Sequence, residues 1–263
     1  MPSRLNRKYL TRKSPSDYRD LGLVRLASPV LLPPSIDLSP NAGPVRDQGH
    51  MGSCTAFAST AMLEYLFRRY KSQSVVLSPL FQYYNERVMD GDLAKGDTGS
   101  TGRTAVKCLN QFGVCLESDE PYSEAAISEV PTPRQVSDAL AYKGGAYHAI
   151  SNVQDMKACI ASQYGFIAAF HVYESFESAA VASSGLMPVP NTSIEQNLGG
   201  HEVFFLGYDD SVTCPGASAG AFKVQNSWGT EWGLGGFFWF PYQCAADPNV
   251  FMDAFMQHFG PPW

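Results

Sequence analysis

A chain of 263 residues that is 44% hydrophobic and 13% aromatic can bury a large core, as one domain or as two halves sharing a cleft, and is too apolar for wholesale disorder. Its apolar runs, such as residues 165–170 and 203–206, fall far short of the ~20 residues that a bilayer span requires, so no membrane span is expected. The net charge of −6 hides a split: residues 1–25 carry seven basic and two acidic side chains, against twelve and twenty-three in the remainder. No basic patch recurs in the body, so nucleic acid is not an expected partner; a solvated tail and an arm docked on its own acidic body both fit.

Residues 1–35 form a polar, basic lead-in that closes on Leu31-Leu-Pro-Pro-Ser35, where two prolines favour extended chain and mark a boundary. No apolar stretch of about 7–15 residues follows the first charges, so no signal peptide is read; secretion or a periplasmic location would fit a chain from which one had been removed. Ser53 is the expected N-cap of a helix over 54–70, a stretch without glycine or proline. Its apolar residues Phe57, Ala61, Met62, Tyr65, Leu66 and Phe67 surround much of the circumference, as in a buried central helix.

Ser78-Pro79 repeats the start signal for a helix reaching about residue 87, and 103–112 reads as a third, closed by Gly113. Further helices are expected at 132–142 and 153–163, with a short strand around Tyr147 between them. From Gly165 the texture changes to short aromatic runs at 166–171, 202–206, 221–225 and 236–240, which suit strands. The expected fold class is α+β: a helical part over roughly 36–140, a β-rich part over roughly 141–250, and a C-terminal segment 251–263, with a cleft where the two parts meet.

Gln48-Gly-His-Met-Gly-Ser-Cys54 delivers a cysteine through a glycine-bearing turn onto the first turn of that central helix. Unpaired N–H groups and the helix dipole there favour thiolate over thiol. A thiolate needs a partner that holds its proton and passes it to a leaving amine. His201, opening a predicted strand, is of the right type. Asn226 can accept the other imidazole N–H, with Trp228 shielding that bond from water. Six cysteines occur, at 54, 108, 115, 159, 214 and 244. If Cys54 stays a free thiol the other five cannot all pair, which argues against a dense disulfide framework. A metal held by His50, Cys54 and His201 lacks the paired ligand spacing of a structural zinc site, and neither metal nor cofactor is expected.

With Cys54 and His201 147 residues apart, the order Gln, Cys, His, Asn accompanies Gly199-Gly-His-Glu-Val-Phe-Phe-Leu-Gly-Tyr208 and Asn226-Ser-Trp-Gly-Thr-Glu-Trp-Gly233. Through these motifs the sequence resembles the papain family of cysteine peptidases over about residues 34–258, its bacterial members above all. The resemblance implies the papain-like two-lobed fold, with a helical lobe, a β-barrel-like lobe, and a peptidase domain over 36–263. It implies a monomeric endopeptidase acting on peptides or proteins through a Cys54 thioester, with His201 as acid/base, Asn226 orienting it and Gln48 supplying an oxyanion donor.

By the same resemblance Trp228 and Trp232 lie on the leaving-group side, and Gly99, Ser100 and Gly200 line the path of an extended substrate. Glu202 stands where many relatives carry a small residue lining the pocket for the second residue before the cut. If its carboxylate reaches that pocket, basic side chains are expected there. Met51 and Thr55 depart from the family, replacing a half-cystine and a tryptophan beside the nucleophile. The long helical prosegment of many relatives does not fit into residues 1–35; a short inhibitory lead-in is expected instead. A papain-fold acyl transferase, or a catalytically silent binding protein, fits the same motifs.

Overall fold

The structure is a computed structural model, and its described residues are 7–20, 22 and 32–259. The central helix forms as its composition dictates: α1 spans Cys54–Lys71, and every residue from Cys54 to Phe67 is buried. It stops at Ser72, whose left-handed backbone (φ 53°) returns an N–H to the Phe67 carbonyl. Ser53 does not cap it; the hydroxyl instead meets the Tyr122 hydroxyl at 2.8 Å. The next two helices carry side-chain caps, the first of them the expected one. In α2, Pro79–Met89, the Ser78 hydroxyl accepts from Phe81 N, and in α3, Gly102–Gln111, the Thr101 hydroxyl accepts from Thr104 N.

Ser78 also donates its hydroxyl to the Glu120 carbonyl at 2.7 Å. Ser78→Ala is therefore expected to lower stability by about 1–2 kcal/mol, the upper range for a lost cap; an unchanged urea midpoint would contradict the role. The shorter helices are α4, Pro133–Ala139, α5, Val153–Ala161, α6, Ala179–Ser184, and α7, Tyr242–Ala246. A reciprocal Thr132–Gln135 pair opens α4.

The strands are β1, Ser35–Asp37, β2, Tyr147–Ala149, β3, Phe166–Tyr173, β4, Asn197–Thr213, β5, Ala219–Gln225, β6, Phe237–Pro241, and β7, Phe251–Gln257. They form one antiparallel sheet in the order β2-β7-β3-β4-β5-β6, with β1 paired to β4 off this path. Two features differ from the sequence-based expectation. Residues 251–257 are a strand inside the sheet, between β2 and β3, not a segment appended after it. Ser35–Asp37 crosses to pair with Tyr208 and its neighbours, so the lead-in ends on the β-rich side.

The sheet's core is aromatic: Phe166, Phe170, Phe204, Phe205, Phe222, Phe238 and Phe240 are all fully buried. α1 lies against β4, with α2 and α3 packed on α1. This contact brings the first turn of α1 beside the middle of β4, where His201 pairs with Phe170 of β3. All six cysteines are buried and unpaired.

Candidate active site

Cys54 is the first residue of α1 and is 0% exposed. The turn before it needs glycine: Gly49 has φ +60°, and a Cβ on Gly52 would stand 2.6 Å from a Leu10 side-chain carbon. Gln48 is held on this turn by its N–H to the Ser227 carbonyl. Its Oε1 accepts from the Ser227 hydroxyl at 2.6 Å, and its Nε2 donates one N–H to Met51 O at 2.8 Å, which leaves the second N–H to be aimed at a ligand.

His201 on β4 is 1% exposed and meets Asn226 Oδ1 through Nε2 at 2.8 Å. The Ser227 N–H donates to the same Asn226 atom at 2.9 Å, so that atom is the oxygen and the imidazole Nε2–H is the donor. His201 Nδ1 has no hydrogen-bond partner. Trp228 stacks on the imidazole at 4.9 Å and 25°, and Phe170 meets it edge-on at 5.8 Å. The Asn226 bond is thereby walled by aromatic rings and kept dry.

The basic arm fills the cleft. Gly200 donates to Tyr9 O at 3.2 Å and accepts from Thr11 N at 3.1 Å, making a parallel bridge; Arg12 N donates to Ser100 O at 3.0 Å. Gly99 (φ +66°) and Gly200 give the arm room, since a Cβ on either would lie 2.1 Å from an arm carbonyl. The Thr11 hydroxyl lies 2.9 Å from Cys54 Sγ. Further along, Ser14 N donates to Asp253 Oδ2 at 2.6 Å, and Asp20 pairs with Arg103. Arg12 meets Asp90 and Asp92, and Lys8 meets Asp97.

Burial under the arm sets the electrostatics. Desolvation pushes the Cys54 thiol up to about 12, against the opposing hydrogen bonds of Thr11 and the Glu202 backbone, with Glu202 and Glu86 adding to the rise. It pulls His201 down to about 4, although the Asn226 bond works the other way. The expected depression of the thiol by the helix N-terminus is thus overturned in the covered cleft, where water exclusion outweighs the dipole. Both groups are neutral there.

Of the remaining sequence-chosen residues, Gly99, Ser100, Gly200 and Trp228 line the arm's path. Trp232 stands behind Trp228 at 4.9 Å and 83°, supporting that wall. Glu202 is fully buried, and neither carboxylate oxygen has a hydrogen-bond partner. It faces Asp253 across β3, in the register Glu202–Ala169–Asp253, and burial raises both carboxyls; Asp253 and Glu86 add to the rise at Glu202, whereas the Ser14 hydrogen bonds, Arg103 and Lys13 oppose it at Asp253. Thr11 and Asp253 are not singled out by sequence; the charge split signals an arm but not its register, and Asp253 lies on β7, whose residues carry no strand signal of their own.

A family model described as Papain family cysteine protease matches residues 32–254. An uncharacterized peptidase C1-like protein of Acanthamoeba polyphaga mimivirus is 32% identical over 217 residues, covering 79% of this chain and 67% of the relative. The gamete and mating-type specific protein A of Dictyostelium discoideum is 27% identical over 208 residues, covering 77% of this chain and 41% of that one. The chain thus spans between 41% and 67% of the length of these curated relatives. Among solved structures, xylellain, a cysteine protease from Xylella fastidiosa, superposes with a TM-score of 0.88 at 30% identity over 99% of both chains.

Proposed function

Because this chain belongs to the papain family of cysteine proteases, we propose that it is an endopeptidase whose nucleophile is Cys54, with His201 as acid/base, Asn226 orienting His201 and Gln48 donating to the oxyanion. One observation carries the assignment. The His201 Nε2–H is committed to Asn226 Oδ1, which leaves Nδ1 as the only imidazole nitrogen for exchange with a thiol. In the opened cleft the Cys54 proton passes to Nδ1, and thiolate and imidazolium stabilise each other.

The thiolate attacks the scissile carbonyl, forming a C–S bond as the oxygen gathers charge. The Cys54 backbone N–H and the second N–H of Gln48 Nε2 meet that oxyanion. Collapse breaks the C–N bond, and the imidazolium gives its proton to the departing amine. A water deprotonated by His201 then hydrolyses the thioester and regenerates the thiol. Passing the thioester to an amine would make the chain a transferase, and product analysis with added amine separates the two.

Residues 1–35 are in this reading a short inhibitory lead-in, and 36–263 the peptidase domain. Tyr9 lies on the Trp228 side and Ser14 on the Asp253 side. A substrate leaves its C-terminal part on the Trp228 side, so the arm runs through the cleft backwards. That direction keeps its peptide bonds out of register with Cys54, while the Thr11 hydroxyl covers the sulfur. Glu202, with Asp253, is assigned to the pocket for the second residue before the cut, favouring a basic side chain there.

A thiol-directed epoxide peptide tests the core of the proposal. Peptide mapping should find one alkylated residue, Cys54, with labelling that parallels loss of hydrolysis. Activity that survives full modification of Cys54 would contradict it.

A further inference from the structure

Arg7 of the arm reveals a site that the mechanism above leaves unused. Its guanidinium carbon lies 4.3 Å from the centre of the Trp228 ring, and Nη1 is 3.8 Å from Glu177 Oε2, with the two side chains only 10% and 17% exposed. The same Trp228 ring stacks on His201 at 4.9 Å, so the cation and the catalytic imidazole share one aromatic partner. Glu177 closes the 3-10 turn Glu174–Glu177, which Phe176 pins against Trp228 at 5.4 Å and Trp232 at 5.6 Å.

Asp47 is a second carboxylate whose backbone pairs with that of Trp228. It is fixed by the Gly49 N–H at 2.9 Å to its Oδ1. Burial lowers the Arg7 guanidinium, while Glu177 and Asp47, in that order, oppose it. An aromatic face with one carboxylate in contact with the cation and a second acting on it, held on framework that does not depend on the arm, matches the requirements of a partly desolvated cation.

We propose that Trp228, Glu177 and Asp47 form a subsite for a lysine or arginine within the first two residues after the scissile bond, which Arg7 occupies while the arm is seated. This rests on the reading of Cys54 and His201 as the hydrolytic pair, with Trp228 on the leaving side. Glu177 acts as a specificity determinant: it selects the side chain on the leaving segment without touching the reacting atoms. The arm uses the site as an anchor, and a substrate uses it as a recognition pocket.

The test employs the full chain carrying Arg7→Ala, which vacates the site. Quenched fluorogenic peptides differ only at the first or second residue after the cut, as arginine, lysine or norleucine. The ratio of kcat/KM between two peptides is independent of the fraction of molecules whose arm is displaced, so residual latency does not distort it. Arginine or lysine should be preferred over norleucine about tenfold at one of the two positions, the scale of a cation–π contact plus a half-buried ion pair.

Adding Glu177→Gln should cut that ratio about threefold, and Glu177→Lys should invert it; 0.5 M salt should shrink it in the parent. Equal kcat/KM for arginine and norleucine peptides, or a ratio indifferent to Glu177 and to salt, overturns the subsite and leaves Arg7 as an anchor alone. Hydrolysis that persists without Cys54 would instead overturn the underlying mechanism.

Discussion

Replacing Cys54 by alanine is expected to leave peptide hydrolysis at background, a loss of about 10⁵-fold or more in kcat/KM, the scale seen when the nucleophile of a coupled catalytic set is removed. His201→Ala should fall to a similar level, and the double variant no further, because thiol and imidazole act as one proton-exchanging unit. Steady-state kinetics on the two single variants and the double variant, all in a background lacking the arm, provides the measurement. A Cys54→Ala chain retaining even a hundredth of the activity would exclude the thioester.

Deleting residues 1–33 is the second change with a large expected effect, a rise in activity of about 10²-fold at low salt. Three backbone bonds to Gly200 and Ser100, the Ser14–Asp253 bond and the Asp20–Arg103 pair all close the cleft. Together with the burial of the arm they are expected to hold all but about a hundredth of the molecules shut, a bias of about 3 kcal/mol at about 1.4 kcal/mol per tenfold. The ion pairs of Arg12 and Lys8 lie at the rim, so salt should raise the activity of the intact chain and leave the truncated one little changed.

The same deletion fixes a direction for pH. In the covered cleft the Cys54 thiol, at about 12, has no appreciable thiolate at pH 7, and His201, at about 4, is neutral. Uncovering moves one proton from sulfur to imidazole, so the pair itself takes up no net proton. Opening by this pair is therefore insensitive to pH only while the uncovered pair keeps its single proton; once the uncovered imidazolium deprotonates, opening releases a proton and is favoured by rising pH. Alkylation by iodoacetamide at pH 6–7 should become fast in the truncated chain and stay slow in the intact one. Equal rates would show that the arm does not control the thiol.

Much of this site is legible in the chain because its chemistry is carried by short motifs with mechanical reasons. Gln48 and Cys54 share one turn, and Asn226 and Trp228 share another, so their proximity within each motif needs no knowledge of the fold. Helices with strong punctuation, Ser78-Pro79 above all, are equally readable. β7 is not: Phe251-Met-Asp-Ala-Phe-Met-Gln257 has no β-branched residue and places a carboxylate mid-strand, and its identity comes only from pairing with β3 and β2.

The thiol's acidity illustrates a different limit. Local sequence specifies the helix end that favours thiolate, but a segment more than forty residues upstream decides whether water reaches it. Ser53 fails as a cap for a similar reason, since Tyr122 claims its hydroxyl from far along the chain. Glu202 is readable as a position but not as a pair, because Asp253 reaches it through two strand registers.

The backward course of the arm carries a consequence for reaction order. With Arg7 on the Trp228 side and Ser14 on the Asp253 side, the seated segment runs opposite to the course proposed for a substrate, an orientation not expected to offer its own bonds for cleavage. If the protein removes its own arm, one molecule must cut the released arm of another. The rate per molecule should then climb with total protein and accelerate as open enzyme accumulates, giving a lag that shortens on concentration. A first-order time course, identical across a hundredfold dilution, would place the cut within a single chain.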